Sequence, residues 1–138
     1  MEWMVMPFRR YAEFDGRSSR QEYWMFFLFC VIVYAAASVF LVAGIAQGAG
    51  NPGSPFPVLS AIGIGLMGLF ALASFIPTIA VQVRRFHDQD KSGWMVLLAF
   101  IPYLGGLILL IFMCLEGTRG PNRFGPDPRD PYNANVFG

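Results

Sequence analysis

Charged residues are confined to a few short blocks of the chain. No Asp, Glu, Lys or Arg occurs from Met25 to Val83, and none from Met95 to Leu115. A soluble chain gives most of its helices one charged face. Two uncharged stretches of this length do not fit inside one small globule, so the pattern predicts helices surrounded by hydrocarbon. The polar segments between them divide the chain as follows: an interfacial section 1–24, a span 25–46, a loop 47–57, a span 58–83, a charged loop 84–94, an apolar segment 95–115, a tail 116–128 and a mobile end 129–138.

The first span, at about 1.5 Å per residue, is long enough for a hydrocarbon core of about 30 Å. Ser19 and Glu22 form a capping-box pattern that starts its helix just outside the apolar stretch, and Tyr23 and Trp24 stand where an aromatic belt would lie. Upstream, Trp3, Phe8, Tyr11 and Phe14 alternate with Arg9, Arg10, Arg17 and Arg20, as in a segment lying at headgroup depth. The leader holds four acidic residues, unlike a short basic signal region, so the first span reads as a retained anchor. The loop 47–57 is rich in Gly and Pro. The second span includes Pro77, where it can tilt or kink. Ala61 and Gly65, with Gly68 beyond them, offer small residues at helical spacing, which suits either packing of the two spans or self-association of two copies.

The third apolar segment admits two readings. Its length suits one crossing, but Pro102, Gly105 and Gly106 stand at its middle and could turn the chain back. Basic residues bear on this choice. Four Arg precede the first span, and Arg84, Arg85 and Lys91 follow the second, while the loop between them has none. The positive-inside rule then places the N-terminus and the charged loop in the cytoplasm. A plain crossing sends Arg119, Arg123 and Arg129 outside, and a turn keeps them inside. Segment length favours the crossing.

Composition agrees with the pattern. Apolar residues make up 55% and charged residues 14%, against about 25% charged in soluble domains. A net charge of +1 gives no reason to expect a nucleic-acid partner. Cys30 and Cys114 lie deep in apolar segments and read as buried, inert thiols. Neither a disulfide framework nor a zinc site has the required spacing.

Few residues suggest chemistry. Arg17, Arg20, Arg84, Arg85 and Arg123 are candidates for holding anionic lipid headgroups, since juxtamembrane cations attract such lipids by about 1 kcal/mol each; the alternative for the loop arginines is topology signalling with local ion pairs to Glu13, Asp15, Glu22, Asp88 and Asp90. His87, Asp88 and Asn122 are candidate polar partners at the same place. His87-Asp88 could act as an acid–base pair, but no nucleophile accompanies it, so no catalytic residue is assigned. Asp88 to Gly93 matches the first half of a calcium loop, yet the twelfth position, which needs a bidentate Glu, is Ala99. No metal and no cofactor are expected. Pumps place ionisable residues inside their spans, and this chain has none there.

Four motifs carry a resemblance: FDGRSSRQEYW (Phe14–Trp24), RRFHD (Arg84–Asp88), SGW (Ser92–Trp94) and GTRGPNRFGPDP (Gly117–Pro128). In order and spacing they resemble the domain-of-unknown-function 805 family of small bacterial inner-membrane proteins, over nearly the whole chain. The resemblance implies a bacterial membrane protein and carries no catalytic residue across, because the family has no established activity. The expectation is an all-α, multi-pass transmembrane protein of three apolar helical segments, the third crossing or re-entrant. Its leading role is a non-enzymatic module that holds anionic lipids or a membrane partner at the cytoplasmic interface. An oligomeric channel lined by Ser38, Ser60, Ser74, Thr78 and Gln82 is the alternative, and an enzyme on a lipid substrate comes third.

Overall fold

The computed structural model describes residues 2–50 and 58–130. Within them the fold is all-helical. Helix α1 is Glu2–Arg9, α2 is Arg20–Ala49, α3 is Val58–Asp88 and α4 is Gly105–Cys114, with a 3₁₀ helix at Gly93–Phe100 between α3 and α4. Two compact units divide the chain: one holds residues 27–75, the other holds 1–26 and 76–138. All ten Lys and Arg and all nine Asp and Glu fall in the second, so the 27–75 unit is free of charge.

Helices α2 and α3 are long and apolar enough to cross a membrane. Over their most apolar 18 residues the mean hydropathy is 2.7 and 2.2, and only 11% and 17% of those residues are buried. A core helix of a soluble protein would be covered. Here the uncovered apolar surface needs lipid. Helix α2 begins as the sequence predicts, with the Ser19 hydroxyl accepting from the Glu22 N–H at 3.2 Å. In the 27–75 unit, Phe70 meets Phe29 and Tyr34 edge-on. Gly63 lies so close to Leu41 that a Cβ would come within 2.6 Å of its backbone nitrogen. A Cβ built at Gly65 or Gly68 would meet nothing within 4 Å, so the close approach uses Gly63 and the space beside Gly65 and Gly68 is open.

Three boundaries differ from the sequence reading. Helix α2 runs to Ala49, so only the end of the expected 47–57 loop is non-helical or lies outside the described residues, as does the expected mobile end beyond Asp130. The expected charged loop does not start at Arg84, because α3 continues through Asp88. Its last turns are held from outside, with the Ser18 N–H donating to the Arg84 carbonyl at 3.1 Å. The helix then ends in a tight turn in which Lys91 N–H meets the Phe86 carbonyl at 2.9 Å and Asp90 takes a left-handed φ of 56°, a conformation Asp tolerates better than most residues.

The largest difference is in 95–115, which forms no single long helix. The 3₁₀ helix is capped by Ser92 and stops at Ile101, which is extended (φ −69°, ψ 117°) because the following proline disfavours helical backbone there. Tyr103 takes a φ of 65°, and α4 starts at Gly105 against the carbonyls of Leu98 and Ala99. Ten residues in α4 span about 15 Å, half a hydrocarbon core. The chain then returns to its starting point, for the Thr118 N–H donates to the Asp88 carbonyl at 2.7 Å. Two short helices about a turn at Pro102 therefore stand where the sequence reading favoured one continuous apolar helix. Phe86, Leu109 and Met113 form the core under this turn, flanked by Tyr23, Trp24, Met95, Val96 and Phe112. Cys30 is half-buried and Cys114 is exposed, which corrects the expectation of two buried thiols: α4 is short and covered on one side only.

Candidate functional site

The end of α3 carries a polar core. Arg17, Ser18, Ser19, Glu22, Arg84, Arg85, His87, Asp88 and Gln89 are all buried. Helical spacing puts Arg85 and Asp88 on one face of α3, and Arg85 Nη1 donates to Asp88 Oδ2 at 2.6 Å. Arg17, on the loop before α2, donates from Nε and Nη2 to Asp88 Oδ1 at 3.0 and 2.8 Å. Its remaining donors reach the tail: Nη1 to the Gly120 carbonyl and Nη2 to the Thr118 carbonyl, both at 2.6 Å. The planar five-donor guanidinium suits this forked task, which an ammonium group would not perform. Arg85 Nη2 also donates to the Leu115 carbonyl.

A second buried pair joins α2 to α3, with Arg84 Nη2 donating to Glu22 Oε1 at 3.0 Å. Arg84 Nε and Nη1 have no hydrogen-bond partner among the described residues. The Glu22 carboxylate, expected to close the capping box, instead neutralises Arg84. Buried pairs of this kind give little net stability but are costly to break on one side.

The tail is fastened along the same helix end. Asn122 Nδ2 donates to the His87 carbonyl at 2.9 Å and to Thr118 Oγ1 at 2.8 Å. Gly117 packs so tightly on Asp88 that a Cβ has no room. Asp127 accepts from Arg129 and from the Gly120 N–H. Burial alone would raise its pKa, but these donors outweigh that and hold it down at about 2.

Of the candidate lipid contacts, Arg17, Arg84 and Arg85 are thus interior residues. Each is placed beside a buried carboxylate, Arg17 and Arg85 at Asp88 and Arg84 at Glu22. Arg20 and Arg123 remain exposed, paired to Glu116 and Asp90 at 3.1 Å each. His87 and Asp88 diverge. Asp88 faces Arg17 and Arg85, while the His87 ring stacks on Phe124 at 3.9 Å and its Nδ1 meets the Gly16 carbonyl at 3.2 Å. Burial lowers the His87 pKa, against smaller opposing effects of the Gly16 carbonyl and Asp15. The hydroxyls of Ser38 and Ser74 bond back to carbonyls of their own helix. Sequence reasoning named Glu22 as an ion-pair partner of these arginines, as the Arg84 pair bears out, and missed Gly117 and Thr118 as members of this core. The Gly/Pro framework of the tail was the signal that could have pointed to the last two.

The model of a protein family of unknown function, DUF805, matches residues 11–126. The chain belongs to this family. Among relatives, the inner membrane protein YhaI of Escherichia coli K12 is 42% identical over 130 residues, covering 94% of this chain and 97% of its own length. The inner membrane protein YhaH of the same organism is 40% identical over 129 residues, covering 94% and 98%. No solved structure matches. The family match spans the buried core from Arg17 through Asn122, so the ion network and the tail as far as Pro126 lie within the matched region, and Asp127 and Arg129 lie beyond it.

Proposed function

We propose that this inner-membrane protein is a non-enzymatic module that crosses the bilayer twice and works at the cytoplasmic headgroup layer. One observation carries the reading: every charged residue belongs to the unit that contains both the N-terminal section and the returning tail, and none to the 27–75 unit. In this reading α2 and α3 cross through 27–75, and the 3₁₀ helix and α4 dip into one leaflet and return. The backbone of such a turn needs protein cover, and the Phe86–Leu109–Met113 core supplies it. All ten basic residues then lie on one side, which the positive-inside rule makes the cytoplasm.

The same unit is the part that would meet lipid headgroups. Arg20, Arg119 and Arg123 are exposed cations in it, with side chains 47%, 89% and 60% exposed. Two experiments test the proposal. Reporters active in a single compartment, fused after Gly138, should report a cytoplasmic C-terminus; a periplasmic one would refute the two-crossing topology. Arg20→Glu with Arg119→Glu should weaken retention of anionic phospholipid by the purified chain, and unchanged retention in a correctly inserted protein would remove the role of these cations.

A further inference from the structure

Burial divides the charges unevenly. Three cations (Arg17, Arg84, Arg85) and two anions (Glu22, Asp88) are buried, so the net charge of +1 is the surplus inside. Seven cations and seven anions remain outside the buried set. A balanced outer shell adds no net attraction to an anionic surface beyond that of local cations such as Arg20 and Arg119, so selectivity among headgroups rests on local arrangement.

One place in that shell is shaped for a zwitterion. A crevice of about 550 Å³ opens in the charge-bearing unit, with Val83, Trp94, Val96 and Leu97 as its apolar wall and Asp15, His87 and Arg123 at its polar side. The His87 ring is fixed there by the Phe124 stack. A carbonyl only accepts, so the contact of Nδ1 with Gly16 assigns the proton to Nδ1 and leaves Nε2 as an acceptor in the neutral ring. Nε2 lies beside Gly93, where a Cβ would approach within 3.1 Å, and Gly93 also lines the crevice. No partner for Nε2 is present among the described residues. Arg123 is held over the Phe124 ring at 4.7 Å and by Asp90, with much of its guanidinium exposed.

The crevice therefore offers a carboxylate, a lone-pair acceptor and a guanidinium above an apolar trough. Resting on the headgroup-layer reading above, we propose that it binds one ethanolamine-type zwitterionic phospholipid. The ammonium sits between Asp15 and His87 Nε2, the phosphate on Arg123, and one acyl chain along Val83, Val96 and Leu97. A primary ammonium satisfies both acceptors with charge and N–H donors. A choline headgroup brings the charge without donors, and a glycerol headgroup brings donors without the charge.

The test is native mass spectrometry of the full chain in detergent, titrated with phosphatidylethanolamine, phosphatidylcholine and phosphatidylglycerol of identical chains, and with water-soluble glycerophosphoethanolamine. Loss of one charge-assisted hydrogen bond corresponds to about ten-fold in affinity or more, so the ethanolamine lipid should bind at one site about ten-fold tighter than either competitor. Asp15→Asn and His87→Phe should each abolish most of that preference. Leu97→Trp, at an exposed wall position, should weaken the lipid and leave the preference order intact. Protection of the Thr118 amide from hydrogen exchange checks that each variant is folded. Equal binding of the three lipids, or ethanolamine-lipid binding unmoved by both Asp15→Asn and Leu97→Trp, overturns the crevice. Equal binding of the soluble headgroup overturns the lipid in favour of a free phosphoethanolamine. A glycerol-lipid preference abolished by Arg20→Glu with Arg119→Glu overturns the crevice while the headgroup-layer reading stands; retention of no lipid at all defeats both.

Discussion

Replacing Asp88 with Asn tests the buried network where it is most concentrated. The Asp88 carboxylate accepts two donors from Arg17 on Oδ1 and one from Arg85 on Oδ2. Both guanidinium groups are almost fully buried, with side chains 1% and 0% exposed. Asn keeps the shape and one acceptor oxygen. Its amide nitrogen is a donor, so it must face one of the two guanidinium groups donor to donor, and neither cation keeps a counter-charge at this point. Breaking a buried pair on one side costs about 3–5 kcal/mol. At about 1.4 kcal/mol per decade, that opens the tail from α3 roughly a hundred-fold to several-thousand-fold more often. The amide of Thr118, which donates to the Asp88 carbonyl, reports this opening by hydrogen exchange, and peptides from 27–46 serve as an internal reference. Protection of Thr118 in Asp88→Asn within about ten-fold of the unmodified protein would refute the reasoning, for it would mean the tail holds without the ion cluster.

Three further outcomes are expected. Glu22→Gln leaves Arg84 buried without a counter-charge and should lower stability by about 3–5 kcal/mol, whereas Glu22→Leu combined with Arg84→Met should recover most of the loss; thermal unfolding in one detergent compares them. Because burial lowers the His87 pKa from its usual 6.5, the fold favours the neutral ring. Its contribution is complete above about 6.5 and falls away as pH drops through that value toward the folded pKa. Asp15 and the Gly16 carbonyl ease this loss and Arg123 adds to it, and the midpoint of unfolding at pH 5.5 against 7.5 should lose its difference in His87→Gln. Gly117→Ala puts a methyl where Asp88 leaves no space and should cost about 1–3 kcal/mol, seen as faster exchange at Thr118 with no change in 27–46.

The helices were legible because their signals are local. A charge-free run of sufficient length, a Ser19 cap and an aromatic pair at its edge are all read within a few residues, and α2 begins where they say. The Pro102 turn was legible in part. The proline and the two glycines marked the break, but length alone favoured a crossing, and length is a poor guide when the residue before proline must be extended and the tail has somewhere to bind. That binding place is not local. Arg17 meets Asp88 across 71 residues and the Gly120 carbonyl across 103, and no periodicity or spacing rule relates such positions.

The same distance explains why the sequence leaves the arginines' task open between headgroups and ion pairs. Basic residues next to a span attract headgroups when they are exposed, and a sequence shows their position but not their cover. Arg84 and Arg85 look like the end of a membrane helix. They become interior residues because Glu22 and Asp88 are brought alongside, and Arg17 follows because the tail supplies carbonyls to its remaining donors. Once these three are withdrawn, the outer shell is balanced in charge, and attraction to anionic surfaces loses its main support. Selectivity must then come from local arrangement. This is why Asp15, His87 and Arg123, unremarkable as single residues, are a better place to look for a ligand than the arginine pair that stands out in the sequence.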